Sequence, residues 1–582
     1  MDNGQIAAVF DQIADLLEFQ AANPFRIRAY RNAARTIRDL PEPVAAIAAD
    51  SGRKLTDIAG IGKDLADKVA TLLRTGSLPM LDELLAEIPP SVLALLRIPG
   101  LGPKRAALLF RARNIATLDQ LRAACESQQI RTLKGFGAKT EQAILAGIDL
   151  AVRAAQRIYW ADAEPIACAL VEHMRSARHV EQMEMAGSYR RRKDTVGDLD
   201  LLVVSERAAD VMDCFGRFAS VVEVLARGAT KMSVRTAGGL QIDLRVVPAE
   251  SFGAALQYFT GSQQHNVMLR AIARQRGLKI NEWGVFRTRD DGSQEQIAGR
   301  TEQEVYAALE LPCFPPELRE ARAEFEWAKA GPLPQLIQLD DIRGDLHAHT
   351  DASDGQATLA QMIDAARQRK LEYLAITDHS KRVTMAHGLG PARLRRQWAT
   401  IDSLRKNRSD IRVLKGVECD ILEQGGLDLP DEVLADADWV VASIHYGQNQ
   451  SRARITQRIL GAIENPHVSA IAHPTGRLIN RRRPYEVDLE AVFAAARRHH
   501  KLLELNAHPS RLDLDDVACA AARQHGIPIV IGTDAHSTDG LDAMRYGVLQ
   551  ARRAGLTKED VANTRTWDQV QRLLGRRRQP RQ

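Results

Sequence analysis

Beyond about residue 340 the chain alternates short apolar runs with longer amphipathic segments. Runs such as 411–417 (IRVLKGV) and 439–444 (WVVASI) have the length and the β-branched content of buried strands. Among these runs lie segments such as 359–370 (LAQMIDAARQRK) and 489–500 (LEAVFAAARRHH), whose apolar residues recur at helical spacing. Seven strands that alternate with helices predict a parallel sheet.

Most of the predicted strands end at a histidine or a carboxylate. For example, 373–378 (YLAITD) precedes His379, and the pair Asp534 and His536 follows the run IPIVIGT. Functional groups at the C-terminal ends of the strands favour closure of the sheet, so we predict a distorted (β/α)7 barrel. The candidate ligands are His347, His349, Asp354, His379, Glu418, His445, His473, Asp534 and His536.

This ligand set indicates a metal centre. Imidazole and carboxylate ligands without a thiolate suit Zn2+, Mn2+ or Fe better than Mg2+. Nine ligands exceed the needs of one ion and suit a cluster of up to about three ions. A single histidine at any of these positions would more often be a core or surface residue. The placement that all of them share at strand ends favours the metal site.

A second candidate centre lies in the segment 187–204 (GSYRRRKDTVGDLDLLVV), where a Gly-Ser turn opens the segment and an apolar strand ends it. Asp198 and Asp200 are two residues apart at the start of that strand, so both side chains point to one face. The predicted strand 239–247 (GLQIDLRVV) adds Asp243. Three carboxylates can hold two Mg2+ or Mn2+ ions about 4 Å apart, an arrangement that suits phosphoryl transfer. A set of ordinary surface acids is the alternative.

The first third of the chain repeats a glycine motif, in 55–63 (LTDIAGIGK), 95–104 (LLRIPGLGPK) and 132–139 (TLKGFGAK). Glycine permits close approach of the backbone, and free N–H groups at a helix N-terminus attract phosphate. The repeats resemble helix-hairpin-helix motifs and predict contacts with the DNA backbone, with simple helix–turn–helix corners as the alternative. The predicted DNA-binding residues are Gly60, Gly62, Lys63, Gly100, Gly102, Lys104, Gly135, Gly137 and Lys139.

Composition limits the setting in which the protein acts. The net charge of +5 is small for 582 residues, so any nucleic-acid surface must be local. The six cysteines form no CxxC pair, which fits a reducing compartment. No apolar run reaches the roughly 20 residues that a membrane span needs. We therefore expect a cytoplasmic protein without a membrane partner.

Several segments of the N-terminal half resemble a known enzyme family. Residues 187–200 are similar to the GS…GDxD signature of the nucleotidyltransferase palm. Residues 258–266 (YFTGSQQHN) and 279–286 (KINEWGVF) are similar to nucleotide-facing segments of the family X DNA polymerases, which are DNA polymerase beta-like enzymes. The resemblance extends over about residues 1–315.

The same resemblance assigns roles to individual residues. It implies that Asp198 and Asp200 bind both ions and that Asp243 binds the ion that activates the primer 3′-hydroxyl. Nine residues would contact the incoming nucleotide or the nearby template. They are Gly187, Ser188, Arg191, Gly197, Tyr258, Phe259, Gly261, Asn266 and Arg270. Lys68 matches the Schiff-base lysine of the family's deoxyribose-phosphate lyase, with a plain phosphate contact as the alternative. Arg192 departs from the family pattern, which often has glycine there.

The C-terminal ligand set resembles the PHP (polymerase and histidinol phosphatase) domain over about residues 340–570. The matching motifs are 347–355 (HAHTDASDG), 377–379 (TDH), 416–418 (GVE) and 532–536 (GTDAH). Because all nine ligand positions are filled, the resemblance implies a catalytic phosphoesterase that binds Zn2+, Mn2+ or Fe. Beside a gap-filling polymerase, such a domain would trim DNA 3′ ends.

These observations predict a multidomain protein. It would combine an all-α helix-hairpin-helix N-terminal region, an α+β nucleotidyltransferase palm and the C-terminal distorted barrel. The predicted domains are 1–85 (lyase-like and DNA-binding), 86–155 (helix-hairpin-helix), 156–250 (palm), 251–316 (nucleotide selection), 317–338 (linker) and 339–575 (PHP).

The expected function is gap-filling DNA synthesis in DNA repair, from dNTPs on gapped or primer–template DNA, by a monomer. The barrel would act as a 3′–5′ exonuclease and could also cleave at abasic sites. Three alternatives stay open. The palm could transfer nucleotides to RNA or a small molecule, or the barrel could hydrolyse a small-molecule or 3′-phosphate monoester. The chain could also be a non-catalytic DNA-binding scaffold, although the intact acid and ligand sets argue against that.

Overall fold

The computed structural model describes the chain except for residues 1–2, 21, 39–43, 51, 59, 90–91, 93–94, 96–97, 99–100, 102, 134, 155–156, 408–409 and 576–582. The chain forms two compact units. One contains residues 1–157 and 236–240, and the other contains residues 158–235 and 241–582. Among the described helices, none has both the length and the apolar character that a membrane crossing requires.

The first unit is helical, which confirms the predicted all-α character. Its helices are α1 (Asn3–Phe19), α2 (Pro24–Arg38), α3 (Val44–Ala49), α4 (Lys63–Thr75), α5 (Pro79–Glu87), α6 (Pro103–Arg113), α7 (Leu118–Glu126) and α8 (Ala138–Ala154). They enclose an apolar core in which the rings of Phe10 and Tyr30 meet edge to face at 5.6 Å. Gly60 and Gly135 adopt φ angles of +84° and +90°, a region that glycine occupies without strain.

The second unit begins with a five-stranded mixed sheet, as expected of an α+β palm. Its elements are β1 (Ile158–Tyr159), α9 (Trp160–Arg175), β2 (Gln182–Met185), α10 (Gly187–Arg190), β3 (Thr195–Val196), β4 (Asp198–Val204), α11 (Ala208–Gly216), β5 (Val221–Arg227), β6 (Lys231–Thr236) and β7 (Gln241–Val247). The strand order is β2-β4-β7-β6-β5, with β4 and β7 parallel. Leu199 and Leu201 of β4 are buried, which leaves the aspartates of that strand on the opposite face.

A small mixed region follows the palm. Its elements are α12 (Phe252–Thr260), α13 (Gln263–Gln275), β8 (Leu278–Asn281), β9 (Gly284–Thr288), β10 (Gln294–Ala298), α14 (Glu302–Ala307) and α15 (Glu324–Ala330). The imidazole of His265 is fully buried in its core and contacts Tyr306 Oη at 2.8 Å and Glu324 Oε1 at 3.0 Å. Because α15 supplies Glu324, this core already reaches into the predicted linker.

The segment 317–338 packs as part of the second unit. Arg319 and Phe325 are only 1% and 4% exposed. The backbone N–H of Ile337 donates to the carbonyl of Leu556 at 3.0 Å. The linker boundary stays a prediction, but the segment itself holds the palm and the barrel together.

The C-terminal part is a parallel barrel, which confirms the prediction. Its elements are β11 (Gly344–Asp345), α16 (Leu359–Gln368), β12 (Tyr373–Ile376), α17 (Pro391–Asn407), β13 (Arg412–Asp420), α18 (Asp431–Leu434), β14 (Trp439–Ser443), α19 (Arg452–Glu464), β15 (Ala470–Ile471), α20 (Leu489–Arg498), β16 (Leu502–Asn506), α21 (Asp516–Gln524), β17 (Ile529–Gly532), α22 (Met544–Arg553) and α23 (Trp567–Leu573). The seven strands follow chain order from β11 to β17. A parallel bridge between Ala348 and Ala535 joins the first and last strand ends.

Two glycines in barrel helices provide a matched test of this packing. A Cβ at Gly547 in α22 would lie 2.4 Å from Ile531 Cγ2, whereas a Cβ at Gly461 in α19 would meet nothing within 4 Å. We expect Gly547→Ala to lower the free energy of unfolding by roughly 1–3 kcal/mol through overpacking. Gly461→Ala should raise it by about 0.5–1 kcal/mol through helix propensity. Urea unfolding followed by circular dichroism measures both, and equal effects would contradict the packing described.

Candidate active sites, a carboxylate cluster and a histidine cluster

Two neighbouring parallel strands assemble the first cluster. In the register of the pair, Asp200 of β4 lies directly opposite Asp243 of β7. Asp198 is two residues before Asp200 and therefore shares its face of the sheet. We call Asp198, Asp200 and Asp243 the palm carboxylate cluster.

The members of this cluster repel one another. Burial, together with the charges of Asp198 and Asp243, raises the pKa of Asp200 to about 7. Burial also acts to raise the pKa of Asp243, but hydrogen bonds from Gln241 and Lys231 outweigh it and hold that pKa below its usual range. Lys231 Nζ lies 3.2 Å from Asp243 Oδ2. A divalent cation at Asp200 would remove the remaining repulsion.

The turn before β4 closes over Asp200. The backbone N–H of Ala186 donates to the carbonyl of Asp200 at 2.8 Å. Gly187 has a φ of +64°, and a Cβ there would lie 2.1 Å from Asp200 Oδ2, so only glycine fits. The hydroxyl of Ser188 is buried and finds no hydrogen-bond partner among the described residues. Buried hydroxyls are normally paired, so this one is suited to a ligand oxygen.

Two arginines follow, and their surroundings differ. Arg190 forms a bidentate ion pair with Glu302, with 2.8 Å from Nη1 to Oε1 and 2.7 Å from Nη2 to Oε2. Arg191 donates from Nε to Glu320 Oε1 at 3.1 Å and from Nη1 to the carbonyl of Thr260. Within the described part of the chain its Nη2 has no protein partner. Arg190 is therefore committed to the fold, whereas Arg191 keeps a donor for a ligand.

The nine predicted barrel ligands converge at the C-terminal ends of the strands. We call this set the histidine cluster. Three groups within it have ligand atoms within 4.8 Å of one another, namely His349, Asp354, His379 and His536; His347, His349 and Asp534; and His379, Glu418 and His445. His473 joins them through Glu418, with 2.9 Å between His473 Nε2 and Glu418 Oε1. Three overlapping groups fit the expectation of up to three ions.

Glu418 lies at the centre of the histidine cluster. Its Oε2 is 2.8 Å from His379 Nδ1 and 3.5 Å from His347 Nε2, and its Oε1 is 3.5 Å from His445 Nε2. Burial acts to raise the pKa of Glu418, but the imidazoles of His379 and His445 outweigh it and hold the pKa well below its usual range. An ionised carboxylate surrounded by imidazoles is suited to bridge two cations.

Neighbouring imidazoles in the cluster differ in charge. Burial and the adjacent His379 lower the pKa of His349 to about 4, so its ring is neutral and its lone pair is available. Burial acts to lower the pKa of His379 as well, but Glu418 and Asp354 raise it to about 10. A metal ion at His379 would have to replace that proton.

Carboxylates outside the histidine cluster orient its rings. Glu504 of β16 lies 2.5 Å from His347 Nδ1 and accepts the backbone N–H of His473 at 2.7 Å. Asp420 of β13 lies 3.0 Å from His445 Nδ1. Such contacts fix the orientation of a ligating ring and increase its basicity.

Two members of the histidine cluster have left-handed backbone conformations that are rare for side chains with a Cβ. His473 has a φ of +29° and Asp534 a φ of +55°. The backbone N–H of Asp534 donates to the carbonyl of His347 at 2.9 Å, which holds this conformation in place. Backbone strain of this kind concentrates at functional sites.

Comparison with known proteins identifies the family. The chain matches models of a helix-hairpin-helix domain (1–78), a SAM-like helix-hairpin-helix tandem (92–149), the DNA polymerase beta thumb (255–320) and the PHP domain (345–508). It is 37% identical over 578 residues to the DNA polymerase/3′-5′ exonuclease PolX of Bacillus subtilis, which covers 99% of this chain and 100% of that protein. The chain belongs to the PolX family.

Shorter relatives cover about a third of this PolX-family chain. A probable phosphatase of Thermoanaerobacter sp. is 29% identical over 231 residues, 38% of this chain and 89% of that protein. A probable phosphatase of Acetivibrio thermocellus is 32% identical over 201 residues, 33% of this chain and 78% of that protein. These lengths are similar to that of the predicted PHP domain.

The residues predicted to contact sugar and template lie on α12, α13 and the turn between them. The rings of Tyr258 and Phe259 meet edge to face at 5.2 Å. Gly261 ends α12 with a φ of +70°, where glycine avoids strain. Arg270 is exposed on α13, and Gly197 is exposed just before β4. These roles stay predictions.

The departure from the family pattern at Arg192 has a structural explanation. Arg192 has a φ of +57°, in the left-handed region that favours glycine. Its guanidinium stacks over the ring of Trp160 at 4.8 Å and lies 5.7 Å from that of Tyr189. Cation–π contacts offset part of the cost of this backbone conformation.

For two of the three glycine hairpins, the predicted DNA-contacting residues fall within the described residues. Their predicted DNA contacts are Gly60, Gly62, Lys63, Gly135, Gly137 and Lys139, all of them exposed. A Cβ at Gly62, Gly135 or Gly137 would meet nothing within 4 Å, so these turns are open to an approaching backbone. Gly100 and Gly102 lie outside the described residues, as does the side chain of Lys104.

Lys68, the predicted lyase nucleophile, lies on α4. It forms an ion pair with Asp64 one helical turn earlier. Its Nζ lies 5.7 Å from the centre of the Tyr30 ring. These contacts suit a phosphate-binding lysine equally well, and the lyase role stays a prediction.

Sequence reasoning missed Glu504 and Asp420. The available signal was the period of two along a strand, because Asp420 lies two residues after Glu418 and Glu504 lies two residues before Asn506. Asn506 itself donates to Asp534 Oδ2 at 3.1 Å. β16, which carries none of the nine predicted ligands, thus supports those on neighbouring strands.

The donor atoms of both clusters fit divalent metal ions, on which the polymerase and PHP domains of this family depend. Among the described residues, buried ligand atoms without a hydrogen-bond partner include His347 Nε2, His349 Nδ1 and His473 Nδ1. Unpaired buried atoms of this kind are expected where a cation completes the site. In the palm, the raised pKa of Asp200 likewise indicates a site that a cation would complete.

Metal binding in the palm should depend on pH through Asp200. A pKa of about 7 means that a proton competes with the cation below that pH, because only the ionised carboxylate binds it. We expect the affinity for Mn2+ to fall by about tenfold for each pH unit below 7 and to level off above it. Calorimetric titrations of the wild type, minus those of Asp198→Ala/Asp200→Ala, isolate this site. An affinity that does not change between about pH 5.5 and 8 would contradict the expectation.

Glu504 offers a test of the support around the histidine cluster. We expect Glu504→Gln to lower metal affinity there by about ten- to a hundredfold, because His347 loses its carboxylate partner. Metal content after dialysis, measured by mass spectrometry, reports the loss. The control is Glu490→Gln, which removes another glutamate–histidine contact, 3.2 Å from His525, outside the cluster. Equal metal content in both variants would refute the role of Glu504.

Proposed function

We propose that this PolX-family chain is a DNA-directed DNA polymerase that fills short gaps in DNA repair, and a 3′–5′ exonuclease that trims the primer end. The observation that carries the proposal is the presence of two separate ligand sets in one chain, carboxylates in the palm and mainly imidazoles in the barrel. The full-length similarity to a protein named for both activities supports it.

In synthesis, the palm residues bind and align the substrates. The palm carboxylate cluster would hold two Mg2+ or Mn2+ ions, which supply charge neutralisation and make the primer 3′-hydroxyl more acidic. Ser188 would donate its buried hydroxyl to the triphosphate, and Arg191 would donate from Nη2. Gly187 lets this turn approach Asp200 closely enough to bring the triphosphate beside the carboxylates.

The nucleotide pocket would continue along α12 and α13. Tyr258, Phe259 and Gly261 would shape the sugar site. The side-chain amide of Asn266 accepts from Gln257 at 2.7 Å and donates one hydrogen to the carbonyl of Tyr258 at 2.7 Å. One hydrogen on Asn266 Nδ2 is left for a base edge. The glycine hairpins of the first unit would bind the DNA backbone without reading its sequence.

In trimming, the barrel residues would bind the 3′-terminal phosphodiester. The histidine cluster would hold up to about three Zn2+, Mn2+ or Fe ions, which activate water and stabilise charge on phosphorus. Glu504 and Asp420 keep the rings oriented. Arg511, whose Nε lies 3.5 Å from Asp534 Oδ2, would donate to the phosphate.

A second candidate function applies to the barrel alone. The relatives of similar length are named probable phosphatases. The barrel would then hydrolyse a phosphomonoester, either on a small molecule or at a DNA 3′ end. The same ligand geometry serves both reactions, so only the choice of substrate separates them.

The protein would act as a monomer in the cytoplasm, where DNA and dNTPs are available to both sites. One chain carries both ligand sets, so neither activity requires a second copy.

The test is a time course on a labelled primer in a one-nucleotide gap, with Mn2+, with or without dNTPs. Wild type is compared with Asp198→Ala/Asp200→Ala and His347→Ala/His349→Ala. We expect lengthening with dNTPs and shortening without them, and each double variant should lose one direction only, because the two sites are separate.

Other outcomes choose between the alternatives. A primer that lengthens but never shortens would favour the phosphatase, and release of phosphate from a 3′-phosphorylated primer would then identify the substrate. A primer that never lengthens would refute the polymerase. Extension with rNTPs but not dNTPs would favour the alternative in which the palm transfers nucleotides to RNA or a small molecule.

A further inference from the structure

A buried arginine of the barrel reaches the nucleotide-binding turn of the palm. The side chain of Arg553, at the end of α22, is 1% exposed. Its Nη1 donates to the backbone carbonyl of Arg191 at 2.6 Å and to Glu320 Oε1 at 3.1 Å. Its Nη2 donates to Asp516 Oδ2 at 2.6 Å. One guanidinium therefore connects the barrel, Glu320 at the end of the thumb match and the palm turn.

Glu320 shares its carboxylate between the two arginines. Its Oε1 also accepts from Arg191 Nε at 3.1 Å, and its side chain is 6% exposed. Arg553 thus acts on Arg191 twice, directly at the backbone carbonyl and through Glu320 at the guanidinium. Hydrogen bonds between charged groups in a buried setting are strong and directional.

This arrangement fixes a long side chain before any ligand arrives. The Nε and Nη1 atoms of Arg191 are both held, at Glu320 and at the carbonyl of Thr260. Its Nη2 keeps no protein partner among the described residues. An arginine that is ordered only on binding loses rotamer entropy at that step. Prior ordering removes that loss from nucleotide binding.

Other hydrogen bonds and ion pairs connect the palm to the barrel. Arg477 Nη1 lies 3.4 Å from Asp194 Oδ2, and the hydroxyl of Tyr159 donates to the carbonyl of Ile479 at 2.9 Å. They dock the barrel on the palm without touching Arg191. Among the described contacts between the barrel and this turn, those of Arg553 are the ones that reach Arg191.

We propose that Arg553 of the barrel is a positioning residue for the incoming nucleotide. It holds Arg191 in the orientation that receives the triphosphate. The inference rests on the triphosphate role proposed for Arg191. It gives the barrel a part in DNA synthesis that is independent of its own hydrolytic chemistry. The polymerase should then need the barrel in place even when the histidine cluster is disabled.

The test measures KM for dNTP and kcat separately in one-nucleotide gap filling with Mn2+, using the full chain. We expect Arg553→Met to raise KM by about ten- to a hundredfold and to change kcat by less than about threefold. Arg553→Lys should recover part of the loss, because it restores the charge near Glu320.

The matched control is Arg552→Met. Arg552 is the neighbouring residue on α22. Its Nε lies 2.9 Å from Oε1 of Glu317, three residues before Glu320, but it does not touch Arg191. Its KM should stay within about threefold of the wild type. Exonuclease activity on the same primer and the thermal unfolding midpoint verify that both variants fold.

Arg191→Ala, alone and combined with Arg553→Met, separates the proposed triphosphate role of Arg191 from the positioning role of Arg553. We expect Arg191→Ala to raise KM and the double variant to raise it no further, since both changes remove one interaction. If Arg191→Ala leaves KM unchanged, the triphosphate role fails and the inference fails with it. If Arg191→Ala raises KM but Arg553→Met does not, or if Arg552→Met matches Arg553→Met, only the inference fails.

Discussion

In the parallel pair β4 and β7, Asp200 lies directly opposite Asp243, and in the barrel six of the seven parallel strands bring the nine predicted ligands to one end. Both arrangements depend on the same constraint. Parallel strands place their equivalent ends at one edge of a sheet, so side chains from distant parts of the chain converge there, at the N-terminal ends of β4 and β7 in the palm and at the C-terminal ends of the strands in the barrel. Residues that are 185 positions apart, such as His349 and Asp534, meet at 3.1 Å in this way.

Convergence of this kind brings together groups that repel one another or that lack hydrogen-bond partners. Burial, together with the charges of the neighbouring carboxylates, raises the pKa of Asp200 to about 7. In the barrel, buried imidazole nitrogens remain unsatisfied among the described residues. The scaffold tolerates these features because its apolar core and its orienting carboxylates fix the geometry, a cost in stability that proteins commonly accept at active sites.

Within the second unit, the palm and the barrel are connected by packed residues and buried ion pairs as well as by the chain itself. Residues 317–338 are packed, and Arg553 and Asp516 of the barrel form buried ion pairs with residues before the first barrel strand. Buried pairs of this kind contribute little net stability, but they are specific, because removing one partner leaves an uncompensated charge. Their value here lies in fixing one orientation of the palm turn against α22.

The sequence by itself predicted the helix-hairpin-helix region, the acid pair at the start of β4 and the nine candidate ligands of the barrel. Each follows from a local pattern, namely the period of two along a strand, the glycine-to-helix repeat or the end of an apolar run, and local patterns can be read without knowing what packs against them. The tertiary structure alone decided the roles of Glu504 and Asp420, which resemble ordinary strand residues until a ring is placed against them. It alone decided that Arg191 is held by Glu320 and by Arg553, which lies 362 residues further along the chain. Such contacts join distant segments through packing, and no local pattern in the chain records which segments will meet.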